Sequence, residues 1–276
     1  MSVSDNQNKY IKSVIKERFI IKFTQIFIVI LFITFWEVFA NKNIIDPFIF
    51  SSPSRILLTI KNLYLSEELF SHIFTTLWEI FLAFSLGLIL AFIISIIFYI
   101  FPKIAKIFDP FLTVLNSLPK VALGPMLIII TGANSKSIIL MALLINLIVS
   151  IISIYNGFLN VDKIKIKMFK TFRASKKQIL YKLVIPSSFS SIVASLKLTI
   201  SLTLIGVISG EFLVSKKGIG YLIIYGTQIF DLNLVMAGIF ILLIISYLLY
   251  KIVIIFENYY QKKNTKIIIL AFFIFY

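Results

Sequence analysis

Between Phe74 and Ile100 the chain runs for the thickness of a bilayer with one charged side chain, Glu79. A hydrocarbon core takes about 20 apolar residues as helix. A soluble fold that buries one such run has no room for more, and here the run recurs. Spans are read at about 19–40, 74–100, 111–132, 137–158, 188–213 and 232–256. The third is the weakest, because Pro119, Lys120, Gly124 and Pro125 interrupt it. Across 276 residues 59% are hydrophobic and 14% charged, against about 25% charged in soluble domains. The expected fold is all-α: one polytopic membrane bundle of six transmembrane helices over 19–256. A short segment, 1–18, precedes it and a tail, 257–276, follows. The first run is too long for the core of a signal peptide and lacks a small-x-small site after it, so it is expected to stay as an anchor.

The charges give the orientation. The N-terminal segment holds Lys9, Lys12, Lys16, Arg18 and Lys22 against Asp5 and Glu17. The 41–73 loop balances Lys42, Arg55 and Lys61 against Asp46, Glu67 and Glu68. The 101–110 loop is basic, the 159–187 loop carries eight basic residues against Asp162, and Lys262, Lys263 and Lys266 follow the last span. Basic loops alternate with neutral ones, which puts both termini and the 159–187 loop in the cytoplasm and the chain in the plasma membrane as a multi-pass protein. The net charge of +15 is thereby accounted for without nucleic acid, since the aromatic residues lie inside the spans. Trp36 and Trp78 sit near the expected outer boundary, as an aromatic belt requires, and Glu37 marks the same boundary. The tail 267–276 is too short to span and is expected at the interface. There is no cysteine and one histidine, His72, so thiol chemistry is excluded and neither a metal nor a cofactor is expected.

The stretch TFRASKKQILYKLVIP, 171–186, breaks this oily pattern. Phe169, Phe172, Ile179 and Leu183 fall near helical spacing with Arg173, Lys176, Lys177 and Lys182 between them, so 162–186 reads as an amphipathic helix that Pro186 ends. Three readings stand: a segment lying on anionic lipid, an ordinary positive-inside loop, or a helix docking into a groove on a cytoplasmic partner.

The run Ala174-Ser175, nine residues on, Ile185-Pro186 resembles the end of the cytoplasmic loop of ABC importer permeases, E-A-A, three residues, G, nine residues, I-x-L-P. Leu183 and Ile185 take its two apolar positions. IFSSPSRIL (49–57), SLPKVALGPMLIIITGAN (117–134), NGFLNVD (156–162) and SGEFLVSKKGIGYLI (209–223) are similar, in the same order, to stretches of the nitrate/sulfonate/taurine subfamily, whose relatives carry thiamine precursors. The likeness covers roughly 45 to 250. Where the loop pattern has Glu-Ala-Ala and Gly, this chain has Lys167, Met168, Phe169 and Arg173. Glycine permits a left-handed turn, which Arg173 is not expected to make. The subfamily usually has a basic residue where Glu79 stands.

The resemblance implies a permease subunit that works as a pair, most simply a homodimer, on two copies of an ATP-binding subunit, with an extracytoplasmic substrate-binding protein delivering a small solute. The 159–187 loop would be the contact with the ATPase, through Lys167, Met168, Phe169, Phe172, Arg173, Ala174, Ser175, Leu183, Ile185 and Pro186. The chain has no G-x-x-x-x-G-K-[ST] loop, so ATP hydrolysis is assigned to the partner and this chain is not itself an enzyme. Pro119, Gly124 and Pro125 either bend the third span beside the pore or simply open a helix. Asn146 is interhelical glue or pore lining. Lys197 is close enough to the cytoplasmic boundary to snorkel. Glu211 is an outer-gate residue, with Lys216 or Lys217 as partner, or a solvated helix end. The competing class is a non-transport scaffold whose basic loop holds anionic lipid. An ion-coupled carrier would need mid-span relays of acids or histidines, and mid-span ionisable residues are nearly absent.

Overall fold

In a computed structural model the chain is helical throughout, with the backbone described for residues 5–275 and side chains for 10–259. The expected placement of the 267–276 tail lies outside the described side chains. The first helix, α1 (Asp5–Asn41), leads to two short ones, α2 (Pro47–Phe50) and α3 (Pro53–Leu65). Both start on a proline, whose missing N–H costs nothing at that position. Asp46 caps α2 by accepting from the Phe48 N–H at 2.9 Å, and Ser52 caps α3. Next come α4 (Glu68–Ile100), α5 (Pro102–Ser117), a 3-10 turn over 120–123, α6 (Gly124–Thr131) and α7 (Ser135–Leu159). The basic loop folds as α8 (Lys163–Thr171), α9 (Lys176–Ile179), a π turn over 180–184 and α10 (Ile185–Ser187). The chain closes with α11 (Phe189–Val214), α12 (Ile219–Gln228) and α13 (Leu232–Phe275).

Among the described residues five helices are long and apolar enough to cross a membrane: Tyr10–Asn41 of α1, α4, α7, α11 and Leu232–Tyr259 of α13. The third span is not one helix. Residues 102–117 and 120–131 meet at 87°, and the break falls at Leu118–Pro119, where proline removes a backbone donor and disfavours helix at the residue before it. Counting this pair as one span gives six.

The centre of the bundle is α4, α7 and α11, packed on Ile80, Ala83, Ile138, Ala142 and Val207. Lipid tails are as apolar as leucine, so helices associate here by close contact rather than by hiding from solvent. Small residues permit that contact. A Cβ on Gly206 would lie 2.5 Å from the Cα of Ala142. At the end bearing the basic loop, Ala91, Phe98, Ile154, Phe158, Ile179, Leu180, Leu183 and Val184 form a second cluster, and at the opposite end α3, α4, α12 and α13 enclose a third around Ile219 and Leu222. By contrast, α1 stands apart. Among its described side chains Ala40 is the first that is buried, and the one polar tie to the bundle is Glu37, which accepts from the N–H of Ser54 at 3.0 Å and from the Ser54 hydroxyl. Glu37 therefore joins α1 to α3 rather than only marking a boundary.

Candidate functional site

Three groups of residues carry chemistry, and they follow the bundle from end to end. The first is the basic segment. The expected single helix over 162–186 is broken in two, because the chain turns at Phe172–Ala174. Arg173 makes the turn that the sequence seemed to deny it: its backbone is left-handed, with φ of 55°, at a cost of about 1–2 kcal/mol for a residue with a Cβ. The surroundings hold it there. The Arg173 N–H donates to the Lys170 carbonyl at 2.9 Å and the Ala174 N–H to that of Phe169 at 3.1 Å. Ser175 then caps α9 in a reciprocal pair with Gln178.

This turn sorts the apolar residues differently from helical spacing. Ile179 and Leu183, expected on the docking face, are buried in the bundle beside Phe98 and Phe158, with Phe169, Ala174 and Ile185 packed against them. The outward stripe is Ile164, Met168 and Phe172, which are 75%, 50% and 78% exposed. They lie four residues apart, on one face of α8 and its cap. Lys163, Lys165, Lys167, Lys170, Arg173, Lys176 and Lys177 are exposed around them, as is Pro186. Ile164 escaped the sequence reading because that reading extended one helix through the turn and so followed the wrong stripe.

The second group is a polar seam in the centre of the bundle. Asn146 is fully buried on α7, and its Nδ2 donates to the Thr203 hydroxyl of α11 at 2.7 Å and to the Ala83 carbonyl of α4 at 3.3 Å. Ser150 and Thr199 share a hydrogen bond of 2.6 Å one turn further along. Asn146 thus joins three helices, the part of glue. Its Oδ1 has no donor and rests against Gly87, where a Cβ would collide with the amide. Towards the basic end Lys197 does not simply reach for solvent, since it pairs with Glu257 of α13 at 2.6 Å. Of the residues in the broken span, Gly124 is buried with Leu213 of α11 within 2.5 Å of where its Cβ would be, so α6 is held close to the bundle, while Pro119 and Pro125 are exposed.

The third group lies at the end opposite the basic loop. Glu211 is neither a solvated helix end nor paired with Lys216 or Lys217. It is fully buried and accepts from the Thr76 hydroxyl at 2.6 Å and from the Gly220 N–H at 2.5 Å. Thr76 in turn accepts from the Ile219 N–H at 2.8 Å, and His72 Nδ1 accepts from the Gly218 N–H at 3.0 Å. The Gly-Ile-Gly turn before α12 is thereby fastened to α4 and α11. Any side chain at Gly218, where φ is 113°, would strike the Glu211 carboxylate. Glu79 is buried beside it, 1% exposed, with its carboxylate against that of Glu211 and near the Ser135 hydroxyl, and neither of its oxygens has a hydrogen-bond donor. Thr76 was not singled out in sequence, and His72 only as a group without partners for a metal site. The signal that finds them is the four-residue recurrence His72, Thr76, Ile80, then Ala83, Gly87, Ala91, Ser95, all buried on α4.

The family described as "Binding-protein-dependent transport system inner membrane component" matches residues 83–266. The chain belongs to this family. Curated relatives of this permease agree with it along most of their length. A Bacillus subtilis protein named as an aliphatic sulfonates transport permease, SsuC, is 28% identical over 78% of both chains. The formylaminopyrimidine transport permease ThiX of Halalkalibacterium halodurans is 28% identical over 77% of this chain and 84% of its own. The taurine transport permease TauC of Escherichia coli is 23% identical over 79% and 81%. Among solved structures, a chain of the inward facing methionine ABC transporter MetNI shares the fold, with a TM-score of 0.59 at 16% identity over 68% of this chain and 94% of that one. The permease is a multi-pass inner membrane component of an ABC importer, in which residues 117–134 build the broken span and 209–223 the Glu211 turn.

Proposed function

We propose that this permease moves a small solute, a sulfonate, taurine or nitrate-like anion or a pyrimidine precursor, by alternating access. A separate subunit, in two copies, hydrolyses ATP on the cytoplasmic side. Two copies of the permease form the pathway, and a binding protein delivers the solute outside. The observation that carries the reading is the two-sided basic segment. One side, Ile179, Leu180, Leu183 and Val184, is locked into the bundle; the other offers Ile164, Met168 and Phe172 inside a ring of basic residues. A partner that grips the outer side moves the bundle through the inner one. An apolar ridge with a basic rim fits a groove that is apolar at its floor and acidic at its lip.

The test is co-purification with the cognate ATP-binding subunit in detergent, for the native chain and for Phe172→Asp and Arg173→Glu. Phe172 and Arg173 are exposed, so both variants keep the bundle. Capture by the native chain and its loss in the variants supports the reading. Equal capture by all three would place the contact elsewhere. The same stripe also suits anionic lipid. If no ATPase is captured while salt-sensitive binding to vesicles containing phosphatidylserine is lost in Phe172→Asp, the segment is a lipid anchor instead.

A further inference from the structure

Glu79 and Glu211 face each other in the middle of packed protein, one on α4 and the other on α11. Thr76 and Gly220 supply Glu211 with two donors, whereas Glu79 receives none. The other ionisable groups of the surrounding elements do not make up the deficit. His72 accepts at Nδ1 and stacks on Tyr221. Lys136, which begins α7, and Lys216 and Lys217, which precede α12, are exposed. Glu67 and Glu68, at the start of α4, are exposed and carry the same sign. Among the described residues the one ion pair is Lys197–Glu257, at the other end of the bundle. Two ionised carboxylates in contact, both buried in packed protein with no described cation beside them, would repel each other at a cost far too high to persist. A proton on one of them removes a charge and at the same time supplies the missing donor, an O–H between the two groups.

We propose that Glu79 and Glu211 hold one proton between them, and that this shared proton latches α4 to α11 and to the Gly-Ile-Gly turn before α12. While the proton stays, the two carboxyl groups attract and the turn is fastened. When it leaves, the groups repel and the joint must open far enough to admit water. The latch follows from the chain's own packing and does not depend on which solute is carried or on which surface the ATPase grips.

Infrared spectroscopy of the full chain in detergent tests the proton directly, through the carbonyl stretch of a protonated carboxylic acid and its shift in D2O. At neutral pH the native chain should show that band from a buried acid, and Glu79→Gln, whose amide N–H replaces the O–H, should lose it. Thermal unfolding read across pH tests the latch. A proton bound by the folded chain and released on unfolding makes stability fall as pH rises, so the native midpoint should fall towards alkaline pH and that of Glu79→Gln should stay nearly flat. Hydrogen exchange at Ile219 and Gly220, measured against amides of α7 to cancel intrinsic base catalysis, should lose protection over the same range. Should Glu79→Gln fold poorly, Glu79→Lys gives Glu211 a counter-charge and should likewise remove the band and the slope. The proposal is overturned by a native chain without the acid band at neutral pH, by a band unchanged in both variants, or by a midpoint indifferent to pH. A midpoint that instead rises with added Na+, K+ or Ca2+ would assign the pair to a metal cation and also overturn it.

Discussion

Placing a methyl group at Gly206 tests whether the bundle is held by the close approach of α7 and α11. The new Cβ would sit 2.5 Å from the Cα of Ala142, 3.0 Å from its Cβ and 3.3 Å from its nitrogen, where ordinary contact begins at 3.4 Å. The nearest atom belongs to the backbone in mid-helix and cannot swing away, so the two helices must part by about an ångström. Overpacking of this kind costs about 1–3 kcal/mol, and a clash with backbone belongs at the upper end. Gly210, one turn on, is the matched control. Its Cβ would meet Ile138 at 3.0 Å for Cγ2 and 3.1 Å for Cα, a few tenths of an ångström too close and partly against a side chain that can rotate. Both changes gain the same helix propensity, about 1 kcal/mol for Ala over Gly, so their difference reads the clash alone. Gly210→Ala should come out near neutral and Gly206→Ala destabilised by about 1–2 kcal/mol net, a lowering of the unfolding midpoint by several degrees. Thermal unfolding in detergent, followed by circular dichroism, measures both. A Gly206→Ala midpoint at or above that of Gly210→Ala would refute the claim that contact between these backbones sets stability.

Two further changes probe the seam and the turn. Gly87→Ala should destabilise by about 1–3 kcal/mol because its methyl lands on the Asn146 amide. In an Asn146→Ala background that penalty should vanish, and a double-mutant cycle of unfolding midpoints reads the coupling. Arg173→Gly should relax the left-handed turn at φ of 55° and stabilise it by about 1 kcal/mol, seen as slower hydrogen exchange of the Arg173 and Ala174 amides with the helical circular dichroism unchanged.

Sequence reading located each candidate span because length and oiliness alone decide them, although the helices of the first and third begin earlier than expected, at Asp5 and Pro102. It did not reveal which side of a span faces protein, because hydrophobic periodicity is silent where lipid and protein are both apolar, and the buried stripe of α4 is marked instead by small and polar residues such as Thr76, Ala83, Gly87, Ala91 and Ser95. Glu79 was therefore visible as an oddity of composition but not as the buried neighbour of Glu211. Likewise Pro119 marked where the third span breaks, yet a proline alone does not set the angle, and the 87° between the two halves was not legible. At the basic segment the expected apolar face is split, because one left-handed residue, Arg173, resets the helical phase: Phe172 stays outward while Phe169, Ile179 and Leu183 turn into the bundle. Glu211 ends a span and so reads equally as an outer-gate residue or a solvated helix end; the turn carrying Gly218 and Gly220 folds back over it.

The isolation of α1 divides the chain into two regimes of substitution. From Tyr10 to Phe35 hardly any side chain is covered by the rest of the protein, and the bilayer asks only for length and apolar character. Leucine, isoleucine, valine or phenylalanine should interchange there with little effect on the fold. At Gly87, Asn146, Gly206 and Gly218 almost no exchange should be silent, since each meets a specific atom of another helix. A saturation scan of this permease should therefore be flat along its first span and sharply notched every fourth residue along α4 and α11.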